Sequence, residues 1–306
     1  MPRSDNLTGA LLMMGSMAAF TLNDAMIKGL AGQVPLFQVM FLRGVMTTIL
    51  VALIAWKMGA LKRHLPREDW GPVFWRLVGE IGSAYFFVTA LYHMPLANIS
   101  AIMQALPLTL TLAAALFFRE PVGWKRMAAI LAGFVGVMLI VRPGTEGFNI
   151  YSVYGLAAVA FVTLRDLATR RLSRDVPSML VTLFNSFFIM AFFGLGSLTG
   201  EWVALDGRAA LLICGAAVMI IGGYLFSIMV MRVGEISFVA PFRYTSLIWA
   251  LILGWLVFGD WPQTLTLVGA AIVVASGLFT LYREAQISRR AKADLKRQLS
   301  LGPRPR

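Results

Sequence analysis

The stretch Thr21–Pro35, TLNDAMIKGLAGQVP, is written again 142 residues later as Thr163–Pro177, TLRDLATRRLSRDVP. The identities are Thr21/Thr163, Leu22/Leu164, Asp24/Asp166, Leu30/Leu172, Val34/Val176 and Pro35/Pro177, and Lys28 meets Arg170. Chance supplies about one identity over such a length, so the chain carries an internal duplication with an acid embedded in an apolar helix of each half.

Outward from this pair the chain is too apolar for a soluble domain. Of its 306 residues 58% are hydrophobic and 14% charged, where globular proteins carry about a quarter charged. Apolar segments recur at roughly 8–30, 35–56, 71–92, 96–118, 125–141, 151–170, 178–199, 209–231, 236–258 and 264–282, most of them near the ~20 residues that span a bilayer. This predicts an all-α integral membrane protein of ten transmembrane helices. The first segment exceeds a signal-peptide core and contains Asn23 and Asp24, so it is expected to be retained.

Cations set the expected orientation. The connections after segments 2, 4, 6 and 8 carry Lys57, Lys62, Arg63 and Arg67, then Arg119, Lys125 and Arg126, then Arg170, Arg171 and Arg174, then Arg232. The alternate connections contribute only Arg142 and Arg208, with Lys28 near the end of segment 1. Both termini are therefore expected in the cytoplasm. Five segments per half, an odd number, bring the second half into the membrane from the opposite side, giving inverted-topology repeats. The expected organisation is a first repeat over 8–141, a second over 151–282 and a basic cytoplasmic tail over 283–306. Further landmarks repeat, though with spacing that drifts by a few residues: Gly82 and Tyr85 against Gly222 and Tyr224, and Asn98-Ile99-Ser100 against Glu235-Ile236-Ser237. In the tail, Ile287, Ala291, Leu295 and Leu299 recur every four residues among cations, which reads equally as a basic helix on the anionic leaflet or as a solvated tail.

The net charge of +12 does not point to nucleic acid, because eight of the 27 Lys and Arg lie from Arg283 onward and most of the rest in alternate loops. One cysteine, Cys214, and two histidines leave no disulfide framework and are too few for a metal site; neither metal nor cofactor is expected. An embedded enzyme would need a nucleophile and base, and His64 and His93 lie at or outside helix ends with no such cluster around them, so the chain is read as a non-enzyme. No GxxxxGK[ST] loop is present for ATP-driven transport.

Function then rests on polar groups inside the apolar segments, where a charge costs roughly 2.5–3.5 kcal/mol unless it faces a cavity or a partner. The candidates for gating or coupling are Asp24, Arg43, Glu80, Arg165 and Asp166; those for substrate binding are Asn23, Tyr85, Gln104, Tyr224, Arg243, Tyr244 and Trp249. Arg76 and Glu80, four apart, suit an intrahelical ion pair. Arg43 aligns with Asn185 at the same offset of 142, and Asp24 is one partner within its reach. Asp24 and Asp166 approach opposite membrane faces, one acid per gate. The competing reading pairs each acid with the cation four residues on, Lys28 and Arg170. Pro107 and Pro241 interrupt segments 4 and 9 and mark both as linings of a transport path. Gly133, Gly136, Gly269 and Gly277 in segments 5 and 10 permit close helix approach, as scaffold packing or as a homodimer contact.

Ten segments in two inverted halves, the endings Phe118-Arg119-Glu120 and Phe258-Gly259-Asp260, and the glycine-rich segments 5 and 10 resemble the drug/metabolite transporter superfamily in its EamA-type branch. Asp260 stands where that family more usually has glutamate. The resemblance implies a bundle in which segments 1, 3, 4, 6, 8 and 9 surround a central cavity, a bacterial inner-membrane location, and a small-molecule metabolite moved by alternating access amid membrane lipids. More narrowly, TLNDAMIK and the run Ala240–Pro262, APFRYTSLIWALILGWLVFGDWP, resemble the subset proposed to move riboflavin or S-adenosylmethionine. Riboflavin uptake is the favoured expectation, with S-adenosylmethionine or amino acids as alternatives.

Overall fold

A computed structural model describes residues 3–57, 59, 66–120, 122–143, 148–173, 176, 178–233 and 236–300, with side chains described over most of that range. The expectations for Lys62, Arg63, His64, Arg174, Pro177 and Glu235 lie outside it. Among the described residues twelve α-helical elements are formed: α1 Arg3–Lys28, α2 Leu36–Lys57, α3 Trp70–His93, α4 Leu96–Met103, α5 Leu106–Phe118, α6 Trp124–Val141, α7 Tyr151–Arg170, α8 Ser178–Ser197, α9 Gly207–Val233, α10 Ile236–Val239, α11 Thr245–Phe258 and α12 Thr264–Ser300. Helix is the natural state of these runs, because hydrocarbon offers the backbone no hydrogen-bond partner other than itself.

Two elements together make each interrupted segment. α4 ends at Met103, with Gln104 as its cap, and α5 has Pro107 in its first turn, where the missing N–H is harmless but cannot continue the ladder from α4. In segment 9, α10 passes through a 3-10 turn at Ala240–Tyr244, which holds Pro241, before α11. Among the described residues nine helical spans are long and apolar enough to cross a membrane. α3 falls short of them on composition because it carries Arg76 and Glu80, yet it has 24 residues and packs along α7 as the tenth span. α12 continues without a break to Ser300, so the helical part of the tail extends the last span directly; its 37 residues measure ~55 Å, beyond the ~30 Å of hydrocarbon.

The dominant helix pairs all cross between halves: α1 with α9, α3 with α7, α2 with α8 and α6 with α12. Exchanging the halves turns the first pair into the second and leaves the other two unchanged, as a pseudo-two-fold axis requires. The axis passes between α4 and α11, where Gln104 Nε2 donates to the Ser246 hydroxyl at 2.9 Å across the same offset of 142. Close approach is built from glycine. A Cβ on Gly79 would stand 2.7 Å from the Arg165 backbone nitrogen, and one on Gly136 would stand 2.7 Å from the Gly269 carbonyl. The glycine steps of segments 5 and 10 thus serve contacts within the chain: Gly136 against Gly269, Gly133 against Leu108, and Gly277 against Tyr244.

Candidate functional site

The repeated motif folds alike in both halves. Thr21 Oγ1 donates to the Met17 carbonyl and Thr163 Oγ1 to that of Val159, each at 2.8 Å. One position before each acid a side chain hydrogen-bonds it, Asn23 Nδ2 to Asp24 Oδ1 and Arg165 Nε to Asp166 Oδ1, both at 2.9 Å. Beyond that bond the halves diverge and form two polar layers.

The layer at the C-terminal end of α7 is ionic. Arg165 reaches Glu80 of α3 at 3.6 Å and Arg76 meets the same carboxylate at 3.9 Å, while Arg76 also donates to the Thr169 hydroxyl. The packing of Gly79 on the α7 backbone and Gly82 on Phe161 is what brings Glu80 to Arg165. At an effective dielectric of 20 the Arg165–Glu80 attraction is roughly 4–5 kcal/mol before desolvation, which offsets much of it. Such a pair fixes geometry more than it adds stability. Tyr224 of α9 lies within electrostatic reach of Glu80, Arg165, Arg43 and Arg76, and its ring meets Phe20 edge-on at 5.3 Å.

The layer near the C-terminal end of α1 is a relay. Arg43 of α2 donates through Nη1 to Asn23 Oδ1 at 3.1 Å, and Asn23 passes the contact to Asp24. Arg43 Nε and the Tyr92 hydroxyl are buried with no protein partner among the described residues, leaving hydrogen-bonding capacity for a bound molecule. The competing reading, in which each acid pairs with the cation four residues on, is not met among the described residues. Lys28 Nζ instead donates to the carbonyls of Met94 at 2.8 Å and Leu91 at 3.3 Å beneath the Phe258 ring, and Arg170 pairs with Glu120 at 3.3 Å. The end of α3 offers Lys28 unspent helix carbonyls, which win over a carboxylate already held by its neighbour.

An aromatic network stands beside these layers. Tyr85 contacts Phe86 at 5.3 Å and Phe37 and Phe192 at 6.2 Å each; Phe86 stacks on Phe161 and meets Tyr154, both at 5.4 Å. Of this group only Tyr85 was singled out in the sequence. Phe37, Phe86, Tyr154, Phe161 and Phe192 carry no signal there, because aromatic residues are common throughout the apolar segments. Tyr92, one residue before the end of α3, likewise carries no signal in the sequence.

The structure does not bring every candidate together. Asn23, Asp24, Arg43, Glu80, Arg165, Asp166 and Tyr224 share the two layers, and Tyr85 joins the aromatic network. Gln104 is buried on the pseudo-two-fold axis. Trp249, one turn from Ser246, has a buried indole N–H without a partner among the described residues. Tyr244 turns away to α12, where its hydroxyl fills the space over Gly277, and Arg243 is exposed.

The two ends of the bundle differ. Where α1 and α3 finish and α2, α4 and α9 begin, Ile27, Leu30, Met40, Leu91, Leu96 and Ile213 are at most 2% exposed. At the opposite end the charged side chains of Arg165 and Asp166 keep 25% and 31% of their surface. One end is packed shut and the other admits solvent.

Comparisons place this architecture. The riboflavin transporter of Vibrio cholerae is 31% identical over 250 residues, covering 80% of this chain and 82% of that protein. The S-adenosylmethionine uptake transporter of Rickettsia felis is 26% identical over 283 residues, covering 91% and 94%. A pseudopaline exporter of Pseudomonas aeruginosa is 24% identical over 277 residues, covering 88% and 94%. A solved crystal structure shares the fold at a TM-score of 0.62 and 20% identity, over 94% of this chain and 99% of that one. The model of the EamA-like transporter family matches twice, at residues 7–142 and 149–282, once over each half. With both halves matched, the chain belongs to the EamA-like transporter family, within the drug/metabolite transporter superfamily.

Proposed function

We propose that this chain is a secondary transporter that takes up riboflavin across the bacterial inner membrane by alternating access, with both termini in the cytoplasm. The observation that carries the substrate reading is the aromatic network around Tyr85 set beside two polar layers. A flat, neutral heteroaromatic ring stacks on Tyr and Phe, while its carbonyls and a polyhydroxyl chain use donors such as Arg43 and Tyr92. The Vibrio cholerae relative supports the same reading. Orientation follows from the cations gathered in alternate loops, and makes the solvent-admitting end cytoplasmic.

S-adenosylmethionine is the second reading, favoured by the length over which the Rickettsia felis relative aligns. A sulfonium cation needs a free carboxylate. Here Glu80 is held by Arg165 and Arg76, and Asp166 by Arg165, while Asp24 is bonded by the Asn23 amide that Arg43 also holds; with two of the three acids paired to cations, the site favours the neutral ring. The test is expression in a riboflavin auxotroph that lacks its own uptake system. Growth on low riboflavin and saturable uptake of labelled riboflavin, insensitive to excess S-adenosylmethionine, are expected. No rescue at normal membrane level, or rescue only of an S-adenosylmethionine auxotroph, overturns the assignment.

A further inference from the structure

We propose that an anionic phospholipid occupies a groove between α3, α5 and α7, with one acyl chain lying along α7 and its phosphate on Arg171. The groove encloses about 640 Å³ and is separate from the polar layers. Its floor is a stripe of α7 at helical spacing, Ala160, Leu164, Leu167, Ala168 and Arg171, whereas Arg165 points from α7 to Glu80. Gly71 and Ala113 keep the walls low, and Trp75 and Phe117, 54% and 66% exposed, form the rim. The hydroxyl of Thr163, which also lines it, is spent on Thr109 and the Val159 carbonyl, so the interior presents hydrocarbon.

Three observations select the occupant. From Ala160 to Arg171 the floor runs ~16 Å at 1.5 Å per residue, about half the ~30 Å hydrocarbon core, so it has the depth of one leaflet. The cation stands at one end of it, where a headgroup would be. Arg171 is held there with its guanidinium 5.4 Å from the Phe118 ring centre and makes no ion pair among the described residues, while its neighbour Arg170 is engaged by Glu120. A planar guanidinium on an aromatic face keeps its donor edge free for phosphate oxygens. Arg119, exposed just past the end of α5, adds a second positive charge near that mouth, which selects a net-negative headgroup over a zwitterion.

The test is native mass spectrometry of the purified full chain, titrated with phosphatidylglycerol and with phosphatidylcholine. Phosphatidylglycerol is expected to bind at least fivefold more tightly. Arg171→Gln should remove that preference and leave phosphatidylcholine unchanged, and Ala160→Phe, which fills the floor, should weaken both. Arg208→Gln, a cation at the other end of the bundle, should change neither. If Ala160→Phe does not accumulate, Ala113→Leu fills the same groove from α5. Equal binding of the two lipids in the wild type, binding unaltered by the groove variants, or a dimer lost on filling the groove in place of bound lipid, each overturns the proposal.

Discussion

At the scale of single residues the site turns on charges that have no water to fall back on. Glu80 serves Arg165 and Arg76 at once, so Glu80→Gln leaves two cations short of a partner in a partly buried layer. Removing one member of such a cluster costs about 2–3 kcal/mol, and the variant is expected to melt earlier in detergent and to lose at least tenfold in uptake at equal membrane level. Asp24→Asn separates charge from geometry, because Asn23 can still donate to the new amide oxygen. If the charge matters, uptake falls while the melting temperature barely moves; an unchanged uptake rate removes Asp24 from the gate, and Asp166→Asn is judged in the same way. Cysteine accessibility discriminates among the aromatic candidates. On a Cys214→Ala background, a cysteine at Tyr85 should be labelled from water and protected by substrate, and one at Tyr244, packed on Gly277, should resist both. Asp24 and Asp166 were legible in the sequence because an acid inside an apolar run must be satisfied by something. What satisfies them was not: Lys28 lies four residues from Asp24 yet spends its protons on carbonyls 63 and 66 residues away, a choice set by where α3 happens to end.

At the scale of elements, spacing of apolar runs located the spans to within a few residues, since the bilayer dictates their length and little else competes. Which way a helix turns its side chains was harder to read. The interruption of segment 9 was visible in Pro241, but the 3-10 turn rotates Tyr244 toward α12, and no periodicity announces that rotation. Helix ends carry predictions of their own. α5 and α11 both stop on a left-handed residue, Arg119 at φ 55° and Gly259 at φ 68°. Only the second has the residue suited to it. Arg119→Gly is expected to stabilise by about 0.5–1 kcal/mol, the relief of left-handed strain being partly offset by a freer unfolded chain, and to raise the thermal midpoint in detergent. A lowered midpoint would mean that the exposed guanidinium contributes more than the strain costs. At the end of α3 the capping group comes from another helix. Lys28→Met should leave the Leu91 and Met94 carbonyls without their donor and cost about 1–2 kcal/mol, with Lys28→Arg restoring part of it; equal midpoints for all three proteins would show the amine to be dispensable.

For the whole molecule, the duplication does more than double a helix count. Inverted halves give each wall of the bundle, α1 with α9 and α3 with α7, the same construction in opposite directions, which is the symmetry the proposed alternating access would use to pack either end shut. The chain breaks that symmetry in its side chains. Asn23 stands where the other half has Arg165, and Arg43 where it has Asn185, so one layer is a hydrogen-bonded relay under a tightly packed end and the other an ion-pair cluster at the end that admits solvent. Opening the packed end has to separate Lys28 from α3 and Phe258, and closing the other has to desolvate Arg165 and Asp166. This sets the last prediction. On the Cys214→Ala background, a cysteine at Thr169, exposed beside the ion cluster, should react with a membrane-impermeant thiol reagent in inside-out vesicles at rest, and one at Ile27, buried beneath Lys28, should not. Adding Lys28→Met should raise the reactivity of the Ile27 cysteine from the opposite face and lower that of the Thr169 cysteine, the fraction of molecules gained at one end equalling the fraction lost at the other, because one equilibrium governs both ends. If the two reactivities move independently, the ends are not coupled, and the symmetry of the fold is a record of duplication without being the mechanism of transport.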